Sequence, residues 1–170
     1  MPREQEEAEP AFKHTPAADV PVVRRALAEI GVLVGEAFGV VSPVATFANV
    51  LYLDIQLAAG GLLALPVLAA EMAVYAVDGE IKIDGEPLAR HTLAVLEGKA
   101  VTLKAVARVR LMVIGGEALA EPRLIWWNFV SSQQERIRQA SEAWLAQSMG
   151  QVPGESEWIP LPERRPVKTG

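Results

Sequence analysis

From about Val22 to Val130, apolar and polar residues alternate with a period of two. Leu51, Leu53, Ile55 and Leu57 fall on one side of an extended segment, while Tyr52, Asp54 and Gln56 fall on the other. This is the pattern of a strand with one face in a core. Glycine-containing turn dipeptides punctuate the alternation at Gly60-Gly61, Asp78-Gly79, Asp84-Gly85, Glu97-Gly98 and Gly115-Gly116. Asp-Gly accommodates the positive φ angles of a two-residue loop, so the spacing predicts a hairpin of Met72–Val77 with Glu80–Ile83. Further strands are predicted at His91–Leu96, Ala100–Ala105 and Val109–Ile114, with an aromatic-rich one at Arg123–Val130. Many short strands at this spacing predict an all-β sandwich or small barrel, in which closure or double layering protects the strand edges.

The period changes after residue 130. Ile137, Ala140, Trp144 and Leu145 make one apolar stripe of a helix, and Arg136, Arg138 and Glu142 lie opposite. Ser131 or Ser132 supplies its N-cap, with Gln134 or Glu135 to close a capping box, and Gly150 and Pro153 end it. The helix is expected on the outside of the barrel, packed there through Trp144. The expected organisation is therefore a flexible acidic lead-in at 1–22, a β-barrel at 23–130, an amphipathic helix at 131–150 and an extended Pro-rich tail at 151–170.

Composition narrows the chemistry. The 170 residues include no cysteine and two histidines, with 51% hydrophobic residues and a net charge of −5. A single domain of this size buries roughly 70% of its unfolded surface without staples. Absence of cysteine removes thiolate and iron–sulfur chemistry and suits a reducing cytoplasm. No basic cluster is present to displace counterions, which argues against direct nucleic-acid binding. The N-terminus is acidic and does not read as a secretory signal. The longest uncharged run, between Asp54 and Glu71, is broken by Gln56, Gly60, Gly61 and Pro66 and falls short of the about 20 apolar residues of a membrane span.

Few residues offer chemistry. His14 and His91 are far apart and cannot make a three-histidine metal site in a monomer. The glycines do not form a phosphate loop or a nucleophile elbow. Glu71, at the end of the uncharged run, is a candidate acid in the barrel mouth; the alternative is a solvated position before the next strand. Alternation puts Trp126 and Asn128 on one face and Trp127 and Phe129 on the other. These four residues either fill the barrel and pack under the helix, or form a ligand or partner surface.

An ordered set of short segments resembles a known family. It comprises Glu9-Pro10-Ala11-Phe12, Gly35-Glu36-Ala37-Phe38-Gly39, Ser42-Pro43-Val44, Leu51-Tyr52-Leu53-Asp54 and Val77-Asp78-Gly79-Glu80. It continues with Gly115-Gly116-Glu117-Ala118-Leu119 and Trp126-Trp127-Asn128-Phe129-Val130. In this order and spacing, over roughly residues 9–163, they resemble the C-terminal half of pirins.

The resemblance implies a cupin-type jelly-roll barrel. It also implies that the family's iron, held by three histidines and a glutamate in the N-terminal half, is not a cofactor of this chain. Set against the general cupin pattern, the histidine slots fall near Val67, Ala69 and Val101 and the glutamate slot near Met72 or Ala73, all apolar. They are expected to pack a core. The expected role is a metal-free structural or interaction module whose partner is a second copy or a separate N-terminal pirin-like cupin. The alternatives are the family's quercetin 2,3-dioxygenase-like or redox-sensing activity, or a metal-free isomerase using a carboxylate or Tyr75 within the barrel.

Overall fold

The computed structural model describes residues 2–150 and 152–163, and the rest of the expected tail lies outside them. Contacts divide the chain after Ala118 into two compact units. The first holds β1 (Val22–Arg25), β2 (Ala28–Val34), β3 (Glu36–Ala37), β4 (Val40–Val41), β5 (Val50–Leu57) and β6 (Leu62–Leu65). It continues with β7 (Glu71–Asp78), β8 (Ile81–Ile83), β9 (Glu86–Leu88), β10 (Leu93–Leu96), β11 (Val101–Ala105) and β12 (Val109–Gly116). The second holds β13 (Leu124–Trp126), β14 (Phe129–Ser131) and α1 (Gln134–Leu145). The lead-in before β1 contains two short 3-10 turns.

Antiparallel pairing orders the first unit into a six-stranded sheet, β1-β2-β5-β12-β7-β10, and a four-stranded sheet, β6-β11-β8-β9. β5 follows its alternation: Leu51, Leu53, Ile55 and Leu57 are all buried. Val74 and Ala76 of β7 and Leu111 and Val113 of β12 join them from the same sheet, and Leu63, Leu65, Ile81 and Leu103 close the layer from the other. A fully buried side chain of this kind contributes about 1.5–3 kcal/mol. The expected sandwich of cupin jelly-roll type is present, with one C-terminal helix.

The turns differ from their sequence reading. β7 lies between β12 and β10, so both its edges are occupied and β8 cannot pair with it. Asp78-Gly79 is accordingly a corner between sheets, where a Cβ on Gly79 would stand 2.9 Å from the Arg108 carbonyl oxygen. The two-residue hairpin belongs to Asp84-Gly85, with φ of 50° and 95°, joining β8 to β9. Gly115-Gly116 is not a turn either. Both residues lie in β12, paired with Val50 and Leu51 on one side and Glu71 and Met72 on the other. A Cβ on Gly115 would come within 2.7 Å of the Glu71 carbonyl oxygen, so the glycine permits close strand approach.

Arg123–Val130 is likewise two strands, because Trp127 takes φ of 51° and turns the chain between β13 and β14. α1 packs on this hairpin. Its N-cap is Gln133, with no side-chain capping bond; Ser131 is taken into β14 and its hydroxyl accepts the Gln133 N–H at 3.1 Å. The helix also ends before Gly150. The Gln147 N–H donates to the Trp144 carbonyl and the Ser148 N–H to the Ala143 carbonyl, with Gln147 at φ of 53°, which is a Schellman closure. Ile137 is buried whereas Leu145, assigned to the same stripe, is exposed.

On the exposed side of α1, Arg138 binds both Glu135 and Glu142. The hydrogen bond from Arg138 holds the Glu135 carboxyl below the usual glutamate range. Its folded value lies below its unfolded one, so the linked stability is present above the ordinary glutamate pKa and is lost as pH falls through the lowered value. Arg138→Gln is expected to raise the Glu135 titration midpoint, read by NMR of the side-chain carboxyl. Gly115→Ala is expected to destabilise the protein by about 1–3 kcal/mol through overpacking. Gly31→Ala, whose Cβ meets nothing nearer than 3.7 Å, is expected to be neutral or to gain up to about 1 kcal/mol. Denaturant melts of the two variants check the opposite signs.

Candidate functional site

The interior of the first unit offers no reactive group. Its cluster of buried residues is apolar throughout, and Ser42 is its single buried polar side chain among the described residues. Ser42 is engaged structurally: its hydroxyl donates to the Leu33 carbonyl at 2.7 Å and accepts the Val44 N–H at 3.2 Å. Tyr75 alternates with buried Val74 and Ala76, so it lies on the outward face of β7.

The barrel mouth is a cleft of about 330 Å³ lined by Gly35, Glu36, Thr46, Asn49, Leu68, Ala69 and Glu117, among others. β3 and β4 form a hairpin at its rim, turned by Phe38 and Gly39 at φ of 52° and 84°. Gly35 is required there, since a Cβ would stand 2.3 Å from the Val50 carbonyl oxygen. Glu36, Thr46, Asn49 and Glu117 are solvent-exposed, giving the cleft a polar lip over the apolar side chains of Leu51 and Leu68. Glu71 is exposed at the first position of β7 and does not line this cleft. His14 and His91 are exposed; the His91 N–H donates to the Ala76 carbonyl at 2.7 Å.

Toward β7 and β10 the outward face of the six-stranded sheet is apolar. Register aligns Tyr52, Ile114, Ala73 and Val95 across β5, β12, β7 and β10, and the next row aligns Asp54, Met112, Tyr75 and Leu93. Val95 is 73% exposed, and Tyr52, Ile114 and Leu93 are also exposed. The second row ends in an ion pair: Arg110 binds Asp54 through two hydrogen bonds of 2.9 and 2.7 Å, which raises the arginine pKa. In the second unit, Trp127 packs edge-on against Phe129 at 5.4 Å and against Trp144 at 5.0 Å. Trp126 is half-buried, and Asn128 is exposed at the turn. Trp144, expected to dock the helix on the barrel, is thus held by the hairpin, and its indole N–H donates to the Ile159 carbonyl at 2.8 Å.

A model of the Pirin C-terminal cupin domain matches residues 52–150. The chain belongs to the pirin family. A pirin-like protein of Caulobacter vibrioides is 38% identical over 167 residues, which cover 96% of this chain and 57% of that protein. Pirin of Homo sapiens is 29% identical over 140 residues, 78% of this chain and 48% of that protein. The crystal structure of a quercetin 2,3-dioxygenase from Acinetobacter baumannii superposes with a TM-score of 0.88 at 26% identity, covering 99% of this chain and 57% of that chain. The chain spans about half the length of the curated relatives it matches.

Within this pirin cupin, the positions set against metal-ligand slots do not form a donor set. Met72 and Val101 are buried in the core and Ala69 packs against it, as an apolar filling requires, whereas Ala73 lies in the outward row of β7, outside the core cluster. Val67 departs from the expectation: it lies in the β6–β7 loop and is 50% exposed. No group of three or more His, Cys, Asp or Glu residues is gathered to hold a metal among the described residues. An iron ion therefore finds no fit at these positions. Sequence reasoning missed the Trp144 contacts, because a packing partner and a carbonyl acceptor supplied by the tail leave no periodic signal. Trp144→Phe is expected to remove the bond to Ile159, at a cost of about 0.5–1.5 kcal/mol. Faster amide hydrogen exchange in the segment 155–160 checks it.

Proposed function

We propose that this chain works as the metal-free cupin of a pirin-type assembly and docks a metal-bearing pirin-like cupin on the outward face of its six-stranded sheet. The observation that carries the reading is the pair of apolar rows from Tyr52 to Val95 and from Met112 to Leu93, which leave large side chains in water. Exposed contiguous apolar surface on a soluble fold marks an interaction site. Relatives of about twice the length supply the kind of partner, since each carries a further portion that this chain does not match. In this reading the iron and its chemistry belong to the partner, and the chain contributes shape and a stable surface. A cytoplasmic setting is part of the reading, supported by the lack of cysteine. No helix among the described residues is long and apolar enough to cross a membrane.

The other readings find less support. Oxygenase chemistry of the kind named for the Acinetobacter baumannii relative would need donors that Val67, Ala69, Met72, Ala73 and Val101 do not supply. A metal-free isomerase would need convergent polar groups inside the barrel, where Leu, Ile and Val are packed instead.

Light scattering of the chain mixed with the unmatched portion of the Caulobacter vibrioides relative is expected to show a one-to-one complex. Val95→Glu, which places a charge at the most exposed position of these apolar rows, is expected to weaken it at least about tenfold. A complex indifferent to Val95→Glu, or no association at all, would remove the reading; a homodimer dissociated by Val95→Glu would assign the face to self-association instead. Metal analysis of the purified chain alone is expected to find no stoichiometric iron, and near-stoichiometric iron would overturn the proposal.

A further inference from the structure

The second unit contains a cavity that the cupin reading does not use. It measures about 810 Å³, within the roughly 300–1,000 Å³ range of small-molecule sites. The end of α1 and the segment after it form its walls, with Trp144, Met149, Val152 and Trp158 as the main apolar surfaces. Glu155 and Glu157 line it as well, and no lysine or arginine does among the described residues.

The walls are preorganised to different degrees. Trp144 is fixed by the ring of Trp127 on one side and by its bond to the Ile159 carbonyl on another. That bond ties the tail to the helix and brings the Trp158 segment back over the cavity. The Glu155 carboxylate accepts the N–H groups of Ser156 and Glu157 at 3.0 and 3.1 Å, which sets its position on the loop. Neither Glu155 nor Glu157 is in an ion pair among the described residues. Indole rings attract a soft cation through their quadrupoles, and two carboxylates without an ion-pair partner among the described residues favour the same charge. Apolar Met149 and Val152 suit the carbon substituents of that cation. A hydrated metal ion fits less well, because indole and methyl groups cannot replace its water.

We propose that this cavity binds an organic cation, an alkylated ammonium carried on a small molecule, between Trp144 and Trp158 with Glu155 and Glu157 balancing its charge. The site lies wholly in the second unit and is independent of any docking on the sheet face. The probe is choline, titrated into the full chain by tryptophan fluorescence and calorimetry, with its uncharged carbon isostere dimethylbutanol as the control.

Saturable choline binding is expected, with the uncharged isostere at least about tenfold weaker, since the cation–π and charge contributions separate the two. Trp158→Leu keeps apolar bulk but removes an aromatic face, and it is expected to weaken choline binding about tenfold. The double substitution Glu155→Gln and Glu157→Gln keeps the Glu155 side chain's acceptor oxygen and is expected to have a similar effect. Circular dichroism spectra that match the parent chain show that each variant is folded. Equal affinity for choline and the alcohol, unchanged binding in both folded variants, or no saturable response in the millimolar range would overturn the proposal.

Discussion

The central strands of the six-stranded sheet have no free edge. β5, β12 and β7 run side by side, each hydrogen-bonded on both sides, and each sends alternate residues into one apolar layer. This constraint organises much of the rest. It forces Asp78-Gly79 to be a corner, because β8 must leave for the opposite sheet. It requires glycine at position 115, where β12 and β7 approach too closely for a side chain. It also fixes which residues are left on the outer face, since a one-residue slip would exchange the buried and exposed sets.

The same packing explains where function can reside. A cupin that uses its interior needs polar side chains converging there, and here Leu, Ile and Val occupy the layer while Ser42 is spent on backbone bonds. What remains is surface: the polar-lipped mouth cleft, the apolar outward face, and the aromatic cavity beyond α1. The outward face and the aromatic cavity differ in physical character. The sheet face presents two apolar rows toward β10, suited to another protein surface, whereas the cavity combines indole rings with carboxylates and suits a small cation.

The strands were legible where one face met water. β5 alternates cleanly, so Leu51 to Leu57 could be oriented from the sequence, and β11 and β12 were placed within a residue or two. The glycine dipeptides were less informative, since the residue signals conformational freedom without saying why it is needed. Asp84-Gly85 uses that freedom to turn a hairpin, Asp78-Gly79 to change sheets, and Gly115 gives up its side chain to let strands meet. Trp126 to Phe129 could be recognised as an aromatic cluster, but alternation failed there because Trp127 takes a positive φ.

The sequence by itself determined the all-β class, the family, the apolar character of the ligand slots and the presence of one C-terminal helix. These follow from local periodicity and from residue identities at fixed spacing, which survive without knowledge of partners. Only the tertiary structure decided which strands pair, that the hairpin of Trp126 and Phe129 carries α1, that Tyr75 faces outward, and that Trp144 and Trp158 line one cavity. Each of these depends on contacts between residues distant in the chain. Two strands with similar alternation are equally good neighbours until every edge has been assigned, and a tryptophan's partner is set by the backbone that returns to it.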